Sequence, residues 1–334
     1  MNKNMTSRGL IEGALMAVIA TILITAGSMP MLGVFLLVFS SIPITIVTVR
    51  NGIFTGVLST ILSTILISLT IGPLAALSNG LQYLVVGFVM GYMLYHKKRG
   101  SKTLQVVIIT AIITSLLSFG ISMGIMGVNG ESLSGALEAY ENEMFEMYHE
   151  SEMFTNMISD GASEIQLTDM LHRSLEFMVQ FLPAILIISR SIMAVVTYYL
   201  TIYILKRLRI KVPRIKGFQK WALPGASIWG LILVWALWLG KDYIPISWLN
   251  VVVLNLMLIF SALLFVDGLA VTFHWFKIKQ MSTFMKMMGV IFIVLFFSGF
   301  MVACMCVGLA DLLFDFRKIR GDNRDSNARK NTRG

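Results

Sequence analysis

Charge is what this chain has least of. Asp, Glu, Lys and Arg make up 13% of its 334 residues, about half the share of a water-soluble domain. So few charges cannot cover a hydrated surface, which excludes an ordinary soluble fold. Proline is scarce, with 7 residues, so long helices are seldom interrupted. The 2 cysteines, Cys304 and Cys306, lie in an apolar run. Two positions apart on a helix, they point about 200° away from each other. They cannot pair there, and they build neither a disulfide framework nor a zinc site. The chain also lacks a phosphate-binding loop with its lysine, His-Glu-x-x-His, Gly-x-Ser-x-Gly and Cys-x-x-Cys. No enzymatic activity, cofactor or metal is therefore expected.

What is there is apolar, at 56% of the residues. Residues 52–71, 104–126, 221–239 and 287–310 hold no interior charge and meet or approach the roughly 20 residues that cross a bilayer core. Spanning helices are expected at about 9–26, 30–49, 52–71, 74–95, 104–126, 174–205, 221–239, 247–275 and 285–313, with breaks at Met29-Pro30, Arg50-Asn51-Gly52 and Gly72-Pro73. The fold class is all-α: a polytopic transmembrane helical bundle of about 8–10 spans. The short basic start runs into an apolar stretch longer than a signal peptide's, so it reads as an uncleaved first helix.

The net charge of +9 does not point to nucleic acid, because Lys and Arg cluster between apolar runs, as the positive-inside rule places them. Lys3 and Arg8 put the N-terminus in the cytoplasm. Lys97, Lys98, Arg99 and Lys102 return the chain inside after four spans, and the seven positives of 206–220 do so after six. Seven more positives in 317–333 call for an inside tail, which nine spans do not give. A hairpin in 285–313 breaking near Gly299, a miscounted span or an outside tail would each resolve this; an inside tail is the expectation.

Four segments follow: a six-helix domain over 1–205 with an acidic external loop at 128–173, a basic cytoplasmic loop at 206–220, C-terminal spans over 221–313, and a basic disordered tail at 314–334. Residues 131–172 hold ten of the eighteen acids and no Lys or Arg. Leu133, Leu137, Tyr140, Met144 and Met147 form one apolar stripe there. Glu143, Met144, Glu146, Met147, His149 and Met153 include metal-ligating side-chain types, but the methionines fall on that stripe and read as core or membrane contacts. Glycine pairs at four-residue spacing, Gly52/Gly56, Gly87/Gly91 and Gly120/Gly124, read as helix packing within the bundle.

Ser41-Ile42-Pro43-Ile44 closes the second expected helix, Asn51-Gly52-Ile53-Phe54-Thr55-Gly56 opens the third, and Ile71-Gly72-Pro73 opens the fourth. In that order, after a first helix with Gly13, Ala14, Ala17, Ala20 and Thr21, residues 9–205 resemble the substrate-binding S components of energy-coupling factor transporters. That resemblance implies a coupling subunit and ATPases as partners, an unknown small-molecule substrate, and docking through a small-residue face, here Gly13, Ala17 and Thr21. The whole chain, with Gly308-Leu309-Ala310-Asp311 and Asp315-Phe316-Arg317 near its end, resembles the uncharacterised YybS-like bacterial membrane proteins of the cell membrane.

Arg190 is the most informative single residue, because a central membrane arginine costs about 3 kcal/mol on insertion scales. An internal ion pair or carbonyl contact would explain it; so would a ligand, with Asn79, Gln82 and Tyr83 lining the same outward-facing pocket. Asp267 and His274 share one helix face and, with Asn255, form a candidate polar relay that carries protons or pairs with Arg190. Glu12 reads as a local partner of Arg8. Two functions remain open: a substrate-binding transport subunit, and a membrane scaffold or regulator meeting anionic lipid or a partner through 206–220 and the tail.

Overall fold

A computed structural model of the chain describes residues 7–29, 33–125, 169–170, 173–174, 177–213, 217–243, 247–279 and 297–317. Among them there are helices and turns and no strand. The chain divides into two compact units, Met1–Arg214 and Ile215–Gly334.

Among the described residues the first unit holds α1 (Ser7–Gly27), α2 (Gly33–Asn51), α3 (Ile53–Ile71), α4 (Pro73–Asn79), α5 (Val86–Tyr95), α6 (Gly100–Ile125) and α7 (Leu182–Arg207). A π-helical turn, Gly80–Val85, joins α4 to α5, so Pro73–Tyr95 acts as one span. The second unit holds α8 (Ser227–Gly240), α9 (Ser247–Ile278) and α10 (Phe297–Phe314). Among the described residues, six segments are long and apolar enough to cross a membrane, and Phe35–Asn51, Ser227–Gly240 and Gly299–Phe314 are shorter apolar helices. Each of the nine expected spans falls at least in part on a described helix; residues 30–32 and 285–296 lie outside the described residues. The α10 helix is continuous from Phe297 through Gly299 to Phe314; residues 285–296, the other part of the hairpin expected near Gly299, lie outside the described residues. Pro43 lies inside α2 rather than closing it, and the helix continues to Asn51.

In lipid, helices gain little by hiding apolar surface from one another, so small residues and hydroxyl groups supply much of the association. The first unit follows this rule. Ser59 and Ser63 of α3 donate to the carbonyls of Gly13 and Ala17 on α1, both at 3.0 Å. Ser41 and Thr45 of α2 donate to the carbonyls of Tyr83 and Gly87, both at 2.8 Å. The Tyr198 hydroxyl of α7 donates to Gly100 O of α6 at 2.9 Å. Between these contacts sits a core of Ala20, Ile24, Ile44, Ile67, Ala76, Tyr83 and Leu84. On the outer surface Ile11, Leu15 and Ile22 of α1 are exposed, as lipid-facing side chains must be.

Thr48 of α2 fills the space above two glycines, Gly56 of α3 and Gly91 of α5; a Cβ built on Gly91 would meet Thr48 Cβ at 2.6 Å. The expected packing role holds there and at Gly87. At Gly120 and Gly124 an added Cβ meets no described atom within 4 Å. At Gly52 and Gly72 the requirement is conformational, with φ of 96° and 95°.

Gly72 makes this testable. Its φ of 95° and ψ of 160° lie in a region that is essentially glycine's own, at a cost of about 1–3 kcal/mol for other residues. No atom lies near an added Cβ, so Gly72→Ala isolates the backbone term. It is expected to lower the melting temperature in detergent, whereas Gly120→Ala, in an open helix position, is expected to leave it unchanged or raise it. Equal effects of the two would refute the assignment.

Candidate functional site

The π turn places Gln82 and Tyr83 side by side in sequence, with Ser78 one turn earlier on α4. Such bulges widen a helix locally and often lie at functional positions. Arg190, eight residues into α7, reaches across to them. Its guanidinium donates to the Gln82 side-chain carbonyl and, at 3.1 Å, to the Tyr83 hydroxyl. The guanidinium carbon also lies 5.4 Å from the Tyr83 ring centroid, within range of a cation–π attraction. Gln82 is oriented from behind: its amide nitrogen donates to Ser78 Oγ at 3.0 Å and to Ser118 Oγ of α6 at 2.9 Å, and the two hydroxyls lie 2.6 Å apart. With the amide nitrogen so engaged, the Gln82 oxygen turns to the arginine.

All of Arg190's partners are neutral, and among the described residues no carboxylate pairs with it. Its positive charge is held in place, and no described carboxylate neutralises it. The depths of the four helical segments agree. Ser78, Gln82, Ser118 and Arg190 lie roughly 8–14 Å along their helix axes from the ends that the positive-inside topology puts outside. The structure thus brings together Arg190, Gln82 and Tyr83 of the four candidate binding residues. Asn79 does not join them; its amide donates to Ala75 O, one turn back, at 2.8 Å.

Three other expectations are corrected. Gly13, Ala17 and Thr21 are buried, with Ser59, Ser63 and Thr55 of α3 packed on them, so this face is occupied within the bundle and is not open for docking a partner. Glu12 pairs with Arg50 at 2.6 Å and accepts from Asn51 at 3.1 Å, not with Arg8. Both new partners come from the α2–α3 corner, a tertiary contact that i,i+4 reasoning does not see. The acidic loop's candidate metal residues, Glu143 to Met153, lie outside the described residues. Among the described residues no cluster of three His, Cys, Asp or Glu side chains is present.

The third correction concerns the polar relay. Asn255 donates to Val251 O at 2.7 Å and lies roughly 18 Å along α9 from Asp267. His274 is a further two turns on. The three do not meet. Asp267 instead forms a buried cluster in the second unit with Asp311 and Arg317, the side chains 0–1% exposed. One guanidinium nitrogen of Arg317 donates to Asp267 at 2.7 Å and to Asp311 at 2.8 Å; the other donates to the carbonyls of Trp221 at 2.7 Å and Gln219 at 3.4 Å. Asp315, in the left-handed region at φ 45°, turns the chain after α10 so that Arg317 folds back. Burial by itself would lower the pKa of this guanidinium, but Asp311 and Asp267 together hold it above its ordinary value. Arg317, expected in a disordered tail, is therefore buried; residues 318–334 lie outside the described ones.

The sequence matches the family described as "Predicted membrane protein (DUF2232)" over residues 17–312. The chain belongs to that family. It is 23% identical over 317 residues to "Uncharacterized protein YybS" of Bacillus subtilis (strain 168), an alignment that covers 93% of this chain and 98% of that protein. No solved structure matches the chain. The DUF2232 match includes Arg190, Asp267 and Asp311 and runs through both compact units. What is established is a multi-pass membrane protein of this family, with two polar clusters in otherwise apolar bundles.

Proposed function

We propose that this DUF2232 protein is the substrate-binding subunit of a membrane transporter, with Arg190 as the centre of its binding site. One observation carries the reading: a guanidinium deep in a span, gripped by Gln82 and Tyr83 on a π turn, whose charge no described carboxylate neutralises. A purely structural arginine in a membrane is usually paired with a carboxylate or backbone carbonyls, as Arg317 is in the second unit. The helix order of residues 9–205, which resembles that of energy-coupling factor S components, supports the same reading. Because the sequence has no phosphate-binding loop, the energy would come from a partner: a coupling subunit with its ATPases.

A second reading, a membrane scaffold or regulator, is favoured by one specific finding. The small-residue face of α1, which would dock a coupling subunit, is filled by α3. The basic segment 206–220 would then supply the contact, with anionic lipid or a cytoplasmic partner. Affinity purification of the full chain in mild detergent, followed by mass spectrometry, separates the two. Co-purification of a coupling subunit and ATPases is the expected result. Their absence, with other membrane or cytoplasmic proteins reproducibly enriched, would replace the transport reading with the scaffold.

A further inference from the structure

Resting on that reading, we infer that Arg190 recognises an oxyanion, so that the substrate is a small molecule carrying a carboxylate or phosphate group. The argument begins with what the guanidinium offers. Its planar fork has five N–H donors, and it pairs best with a two-oxygen acceptor that meets two of them at once. In the structure it has one amide oxygen and one phenol, from neighbours in the π turn. Both are neutral acceptors, and an incoming oxyanion would make stronger, charge-assisted bonds with the same donors.

Each neighbour suits such an exchange. Gln82 is held independently by Ser78 and Ser118, so it keeps its place if its oxygen gives up the arginine. The Tyr83 hydroxyl, which accepts from Arg190 in the structure, can itself donate to an anion. Its ring lies beside the charge and keeps the guanidinium oriented. The ammonium of a cationic substrate would face a like charge here, and a neutral substrate would make no use of a charge that no described carboxylate neutralises. Charge, donor geometry and the oriented neutral frame thus point to one ligand class.

The test uses the full-length protein in phosphatidylcholine nanodiscs and a defined library of carboxylates, phosphate esters and their neutral amide or alcohol counterparts. Retention in equilibrium dialysis is read by mass spectrometry. We expect oxyanions to be retained over their neutral counterparts. Two variants then locate the site. Arg190→Gln removes the charge. Gln82→Glu keeps it but supplies a built-in competitor: the new carboxylate pairs with Arg190 and accepts from the Ser78 and Ser118 hydroxyls, so the fold is preserved. Each is expected to weaken retention roughly ten- to hundredfold, the worth of a hydrogen bond or two to a charged group. If Arg190→Gln fails to fold, Gln82→Glu still decides.

Adding phosphatidylglycerol to the nanodiscs separates a lipid phosphate from a soluble one. Arg190-dependent enrichment of that lipid would assign the oxyanion to the bilayer. Retention of neutral compounds, or of oxyanions unaffected by Gln82→Glu, would overturn the oxyanion inference and leave the transport reading standing. Retention of no compound and no lipid would remove both.

Discussion

Arg317→Ala is expected to unfold the second unit, with a loss of about 3–5 kcal/mol. That is the usual cost of removing one partner from a buried ion pair, and it is a large fraction of a typical folding free energy. The residue ties four places together: Asp267 on α9, Asp311 on α10, and the carbonyls of Gln219 and Trp221 before α8. Without it, two buried carboxylates face each other with their shared cation gone. The apolar contacts among Leu223, Leu264 and Leu312, the core of this unit, are set by the same three segments and would separate with them. Arg317→Lys is expected to fall in between, since an ammonium is a point donor and cannot span the carboxylates and the carbonyls as the fork does. The triple variant Arg317→Met, Asp267→Asn, Asp311→Asn removes every charge from the cluster and is expected to recover much of the loss. Thermal unfolding followed by size exclusion in detergent reads all of these. Arg173→Ala is the reference, because that side chain is 80% exposed. If Arg317→Ala shifts the melting temperature no more than Arg173→Ala does, the cluster does not hold the unit together.

This cluster also shows what could and could not be read from the sequence. The helices were legible, since long apolar runs leave few alternatives in a bilayer, and the breaks at Gly52 and Gly72 follow from backbone conformations only glycine adopts freely. The group of Arg190, Gln82 and Tyr83 was legible in part. An arginine in mid-span demands partners, and polar residues at a comparable depth on a neighbouring span are few. The π turn that presents Gln82 and Tyr83 left no trace in the sequence, and Ser78 and Ser118 were indistinguishable from the many hydroxyls that simply bond their own helix. Asp311 and Arg317 stood in a segment that marked the chain's likeness to the YybS-like proteins, but their roles were hidden. Arg317 lies among the basic residues of the C-terminal end, and only the left-handed turn at Asp315 brings it back into the bundle. Gly13, Ala17 and Thr21 failed in the opposite way: spacing identifies a face made for close approach, but not which helix approaches.

Gly268→Val and Gly308→Val are expected to separate α9 from α10, with effects on the scale of Arg317→Ala. The two helices cross at these glycines, each against the backbone of the other. A Cβ on Gly268 would run into the Cys304 carbonyl, whose carbon would lie 2.6 Å away, and one on Gly308 would run into the carbonyl of Leu264, with Gly268 N at 2.9 Å. A side-chain neighbour can rotate aside; a helix backbone cannot, so the axes must move apart. Overpacking of this kind typically costs about 1–3 kcal/mol, and more where backbone must shift. The added loss comes from geometry, because Gly268 is one residue from Asp267 and Gly308 is one turn before Asp311. Widening the crossing therefore stretches the Arg317 bridge as well. This coupling predicts non-additivity: Gly308→Val combined with Arg317→Ala should cost clearly less than the sum of the two, since both open the same interface. Gly299→Val, on α10 with no described atom near its added Cβ, is the control and should cost only the difference in helix propensity. The discriminating outcome is the double variant. Simple addition would mean that the glycine crossing and the buried charge cluster stabilise the unit separately, whereas a sub-additive loss would show that α9, α10 and Arg317 form one cooperative element.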